Sequence, residues 1–72
     1  MLNRYEVNII QGGPDQLQQF RVYADTIEAA AMRAGYELRQ DQAAEEIRIL
    51  ANYAFIAWEK DGILCEIVQA NE

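Results

Sequence analysis

Residues 53–69 read YAFIAWEKDGILCEIVQ, two apolar runs separated by Asp61-Gly62. A two-residue type I′ turn needs positive φ at both central positions, and Asp-Gly is one of the pairs that tolerates this, so the stretch predicts a β-hairpin. With Lys60 set against Ile63, Trp58 faces Cys65, Ile56 faces Ile67 and Ala54 faces Gln69 on one side. On the other side Glu59 meets Leu64, Ala57 meets Glu66 and Phe55 meets Val68. Both sides are partly apolar. One covers the core of the domain. The other, with Tyr53, Phe55, Leu64 and Val68 punctuated by Glu59 and Glu66, has no evident cover in a chain of 72 residues, and it is the main indication of function.

The rest of the chain supplies the elements around this hairpin. Residues 4–11, RYEVNIIQ, alternate, with Tyr5, Val7 and Ile9 pointing one way and Arg4, Glu6 and Asn8 the other, as in a half-buried strand. Gly12-Gly13-Pro14-Asp15 breaks the alternation and predicts a loop. Phe20, Val22 and Ala24, separated by Arg21 and Tyr23, form a second strand, antiparallel to the first because the connection is short. Asp25 with Glu28 three positions on has capping-box spacing and predicts the start of a helix. Ile27, Ala31, Ala34 and Leu38, with Ala30 and Gly35 beside them, make an apolar stripe at helical spacing. Gly35 is expected to serve close packing of that helix on the sheet.

Residues 39–46 are expected to carry the helix end and a turn. Residues 46–51, EIRILA, predict a third strand, and Asn52 a bend into the hairpin. A second helix from Ala43 to about Trp58 is the competing reading. It is set aside because Ile47, Ile49, Tyr53, Phe55, Ile56 and Trp58 are β-favouring types and the Asp-Gly turn needs a strand before it. The expected architecture is a single α+β domain over residues 1–72, with an antiparallel sheet of four or five strands in the order β-β-α-β-β-β and the helix on one face. Its expected core is Tyr5, Val7, Ile9, Phe20, Val22, Ile27, Ala31, Leu38, Ile56, Trp58, Cys65 and Ile67.

Composition narrows the functional classes. Hydrophobic residues make up 51% and charged residues 25% of the chain, the profile of a folded domain. A domain of this size buries only about 60% of its unfolded surface, so its core is thin. Twelve acidic residues against six basic ones give a net charge of −6, which repels nucleic acid and anionic membrane and attracts basic surfaces. Direct nucleic-acid binding and membrane association are therefore not expected. No apolar run approaches the roughly 20 residues of a membrane span, and Met1 to Tyr5 does not begin a secretory signal. A cytoplasmic location is the expectation. Cys65 is the only cysteine. It has no disulfide partner in the chain and no Cys or His companion for a zinc site, and its place on the core side predicts an inert buried thiol.

Catalytic groups are scarce. The chain has no His and no Ser, and Thr26 is its one Thr, explained by capping or exposure at the helix start, so a nucleophile–histidine constellation is excluded. Glu45 with Glu46 and Glu59 with Glu66 are possible carboxylate pairs, but a domain this small offers little concave pocket to hold a substrate. Gly12-Gly13 lacks the following Lys-Ser or Lys-Thr and the helix of a phosphate cradle. The expectation is a protein that is not an enzyme and needs no cofactor or metal. What remains is surface. Between positions 37 and 66 seven acidic residues stand against three basic ones. Tyr23, Tyr53, Phe55 and Leu64 as anchors, with Glu59, Asp61 and Glu66 as acidic complement, have the composition of a protein-binding interface, and Tyr36 is a further exposed aromatic candidate. The expected partner is a protein, a basic nucleic-acid-binding subunit whose groove the acidic face occupies in place of phosphates.

Tyr5-Glu6-Val7-Asn8, the glycine-containing turn, the alanine-rich helix from Ile27 to Leu38 and the terminal hairpin together resemble the small anti-CRISPR proteins that phages use against type I surveillance complexes. Size, acidity and the absence of catalytic groups agree with the resemblance. It implies a stoichiometric inhibitor that binds protein subunits of such a complex in the host bacterial cytoplasm and blocks target-DNA recognition or nuclease recruitment. The same outline also describes a small structural or accessory protein that homodimerises through its outer sheet face.

Overall fold

The computed structural model describes residues 2–12, 18–39 and 43–70. It is an α+β fold of strands β1 (Asn3–Gln11), β2 (Gln19–Ala24), β3 (Glu46–Leu50), β4 (Tyr53–Trp58) and β5 (Ile63–Gln69) with one helix, α1 (Ile27–Leu38). The five strands form one sheet in the order β2-β1-β5-β4-β3, and every neighbouring pair is antiparallel. β5, apolar on both sides, occupies the middle. Ile63, Cys65 and Ile67 face the helix, and Leu64 and Val68 face away. Residues 43–52 are not helical: Glu46–Leu50 is an edge strand, as its β-branched residues require.

The inner face and α1 share one apolar core. Tyr5, Val7, Val22, Ile56, Trp58 and Ile67 from the sheet pack with Ile27, Ala31, Ala34 and Leu38 from the helix, and Cys65 is fully buried among them. The alanines on the buried stripe keep the helix close to the sheet. Ala24, Ala30, Ala54 and Ile63 join the core although the expected core omits them, while Ile9 and Phe20, expected there, are only partly buried.

Three local features differ from the sequence expectations. The β4–β5 connection is not a two-residue type I′ turn. Glu59–Asp61 form a single 3-10 turn, and Gly62, at φ 70° and ψ 26°, closes it by donating its N–H to the Glu59 carbonyl at 3.1 Å. Among these loop residues only Gly62 has positive φ. Trp58 therefore meets Ile63, Ile56 meets Cys65 and Ala54 meets Ile67, while Ala57, Phe55 and Tyr53 meet Leu64, Glu66 and Val68 on the outer side. The pairing has slipped by two residues from the expected one. A slip of two preserves the faces where a slip of one would exchange them, and it brings Ile63 into the core against Trp58.

Helix α1 starts one residue later than expected. Thr26 is its N-cap, accepting a hydrogen bond on Oγ1 from the Ala29 N–H at 3.1 Å, and Glu28 lies in the first turn as favourable charge. Gly35 packs under the Trp58 indole, but a Cβ there would sit 3.8 Å from the ring, ordinary contact distance, so packing does not demand glycine at this position.

Glycine is demanded at position 12. Its φ is +74°, and a Cβ would lie 2.3 Å from the Gly62 carbonyl oxygen. A bulge in β1 opposite β5, between Ile9 and Gln11, brings the chain to this close approach. The loop expected over Gly13–Asp15 and the middle of the turn after α1 lie outside the described residues. Ala51-Asn52 joins β3 to β4, with Ala51 at φ 48°.

Candidate protein-binding face

The outer sheet face is the alternate set of residues on the same strands. Its register sets Arg21, Glu6, Val68, Tyr53 and Leu50 in one row across the sheet. The next row is Gln19, Asn8, Glu66, Phe55 and Arg48, and beyond it Leu64, Ala57 and Glu46 adjoin. The charged residues on this face, Arg4, Arg21, Arg48, Glu6, Glu46 and Glu66, number three of each sign. Among the described residues outside these six positions, six are acidic and three basic. The described charges of the face cancel, and the described acidic surplus lies elsewhere.

Each carboxylate on the face is held by neighbours. Glu6 accepts from Arg21 Nε at 3.0 Å and Gln19 Nε2 at 3.2 Å, with Arg4 Nε at 3.8 Å. Glu46 pairs with Arg48. Glu66, near the centre, accepts from Asn8 Nδ2 at 3.2 Å and from Tyr53 Oη at 3.1 Å. The environment keeps nearby acids neutral. Partial burial, and then the Glu66 carboxylate that accepts its hydrogen bond, raise the Tyr53 phenol above its ordinary value. Burial, followed by the charge of Glu66, pushes the Cys65 thiol up to about 11.

Of the expected interface residues, Tyr53, Phe55, Leu64 and Glu66 adjoin on β4 and β5, where the apolar side chains are half-buried. Tyr23 shares their face but stands on edge strand β2 opposite Arg4, with β1 and β5 between it and β4. Glu59 and Asp61 are in the turn at the end of the sheet. The expected pairing of Glu59 with Leu64 does not occur, because the 3-10 turn lifts Glu59 out of the ladder. Asp61 is bound to Arg39 at 3.1 Å, tying the end of α1 to the β4–β5 turn. Tyr36 lies on the helix side, in a groove of about 360 Å³ lined also by Met32, Ala44, Ile47 and Trp58. Arg48, Leu50 and Val68 complete the outer face. Val68 is expected on this face with Phe55, whereas the period-2 alternation of EIRIL assigns Arg48 and Leu50 to one side of their strand but not to the same patch as Phe55.

A shallow depression of about 420 Å³ lies between Glu46, Arg48, Leu50, Tyr53 and Phe55 on this face. Among the described residues no cluster of three carboxylate or thiol groups is placed to hold a metal ion, and no helix is long and apolar enough to cross a membrane. Comparison of the chain with protein-family models, curated proteins and solved structures finds no match.

Proposed function

We propose that the protein is a non-catalytic, acidic protein-binding module that acts by occlusion, a phage inhibitor whose outer sheet face docks on a protein subunit of a type I CRISPR surveillance complex. The observation that carries this reading is the half-exposed patch of Tyr53, Phe55, Leu64 and Val68 on a sheet face whose charges cancel and whose carboxylates are already hydrogen-bonded. Burying such a face strips water from apolar and aromatic surface without stranding an unpaired charge, the property of an interface centre. The acidic surplus outside the face, Glu59 included, supplies the long-range attraction to a basic subunit and contributes more to association rate than to the final contact.

The test is to titrate the protein into a purified type I surveillance complex and measure retention of target DNA together with co-migration of the protein. Stoichiometric co-migration with loss of DNA binding or of nuclease recruitment supports the reading. Full activity at micromolar protein, with no co-migration, overturns it.

A further inference from the structure

Edge strand β3 is open on both faces. On the helix side Ile47 is 51% exposed and Ile49 36%, and on the outer side Leu50 is 67% exposed. Its free edge also presents the main-chain groups of every second residue, since an antiparallel ladder with β4 uses only the others. Such a strand templates pairing with another chain unless it is blunted, commonly by Lys, Pro or a bulge. The run Glu46-Ile47-Arg48-Ile49-Leu50 contains neither Lys nor Pro.

Its charge pattern identifies the partner. Glu46 and Arg48 are opposite in sign, share the outer face and stand on either side of Ile47. When two copies of such a strand pair antiparallel about a twofold axis normal to the sheet, residues of like parity oppose each other. A pairing centred on Ile47 sets each Glu46 against Arg48 of the second copy, and the two Ile47 side chains meet on the helix side. Moving the centre to Arg48 sets the two arginines against each other, which is unfavourable. Moving it to Ile49 sets Arg48 against Leu50 and leaves Glu46 without an opposing charge. The other edge, β2, has Arg21 as its sole charge and no complement to offer a copy of itself.

We propose that the chain forms a twofold dimer by antiparallel β3–β3 pairing centred on Ile47, fusing two five-stranded sheets into one of ten strands. The intrachain Glu46–Arg48 pairs become a ring of four alternating charges across the axis. On the helix side the two grooves beside Met32 and Tyr36 become neighbours, with both Ile47 side chains between them. The outer face stays open and is doubled, so this dimer stands or falls independently of what that face binds.

Light scattering and sedimentation of the full chain test the proposal. The wild type should show a concentration-dependent mass of twice 8.2 kDa. Glu46→Arg makes the strand wholly basic and Arg48→Glu wholly acidic, and each should weaken self-association by about tenfold or more while circular dichroism stays unchanged. Mixing the two variants should restore a one-to-one dimer. A wild type that is monomeric at every attainable concentration overturns the proposal. So does a dimer that both variants leave intact, which points to the outer face, or a mixture of folded variants that fails to pair. Should a variant not fold, amide exchange in the wild type decides: protection along β3 must rise with protein concentration, and protection that does not overturns the pairing.

Discussion

The two faces of the sheet come from alternate residues of the same five strands, yet they obey different rules. On the inner face Tyr5, Val7, Ile56, Trp58, Cys65 and Ile67 are at most 2% exposed, and no charged or polar residue is buried among the described residues. That face is organised by volume. On the outer face charges of both signs stand beside half-exposed aromatic and aliphatic groups, and each carboxylate is held by neighbouring side chains. That face is organised by neutrality. Close packing makes a core sensitive to the loss of a single methylene, whereas a half-exposed face tolerates exchange. The comparison separates the residues that hold the fold from those free to serve a partner.

The largest expected effect breaks this contrast if it fails. Trp58→Ala on the inner face should cost about 3–5 kcal/mol, comparable with the whole stability of a domain this small, while Phe55→Ala on the same strand's outer face should cost about 1 kcal/mol. Urea unfolding of both variants decides. Equal losses would make the outer face structural.

Next in size is the rim where β1 meets the β4–β5 turn. Gly12→Ala combines positive φ with a Cβ 2.3 Å from the Gly62 carbonyl oxygen, and should lower stability by about 2 kcal/mol or more in the same assay. Gly62 has open space around its Cβ position, so Gly62→Asn should cost well under half as much.

A smaller, pH-dependent effect reports on the inner face through Cys65. Its folded thiol titrates near 11 rather than at the ordinary 9.0. A raised pKa means that the unfolded chain loses the proton first, so this contribution is fully present below about pH 9 and lost as pH rises towards 11. Tyr53, also raised, adds in the same alkaline direction. Melting temperature followed from pH 8 to 11 should fall, and less steeply in Cys65→Ala. An identical slope in the variant would show that the thiol is not held neutral by burial.

The smallest effects are gains. Gly35→Ala replaces a helical glycine where a methyl meets Trp58 at normal contact distance, and should stabilise by about 0.5–1 kcal/mol. Ala51→Gly relieves a positive φ of 48° and should gain a similar or smaller amount. A loss at Gly35→Ala would mean that the helix already sits as close to the inner face as it can.

Much of this contrast was legible in the chain. Alternation in RYEVNIIQ and in the runs flanking Asp61-Gly62 assigned the two faces, because a period of two is a property of extended backbone itself. Thr26, Asp25 and Glu28 located the helix start to within one residue, since either Asp25 or Thr26 is a competent cap and tertiary packing of Ile27 chooses between them. The hairpin register was not legible. Asp-Gly fits an I′ turn locally, and the longer loop goes with packing that the turn residues do not encode: Ile63 against Trp58 in the core and Gly12, distant in sequence, against Gly62. Charge compensation on the outer face was hidden for the same reason. Glu66 finds Asn8 only once β5 is placed beside β1, an order that no local pattern encodes, and Glu6 meets Arg21 only in the particular register of β1 with β2. The acidic excess of the sequence therefore suggested an acidic face where the folded face is neutral.

The central claim is that Tyr53, Phe55, Leu64 and Val68 are exposed for binding and not for folding. Phe55→Glu tests it most directly when its melting temperature and its inhibition of target-DNA binding by a type I surveillance complex are measured side by side with the wild type. The account predicts a melting temperature within a few degrees of wild type and inhibition weakened by about a hundredfold, as for charge placed at the centre of an interface. Inhibition unchanged in a folded Phe55→Glu protein would contradict it.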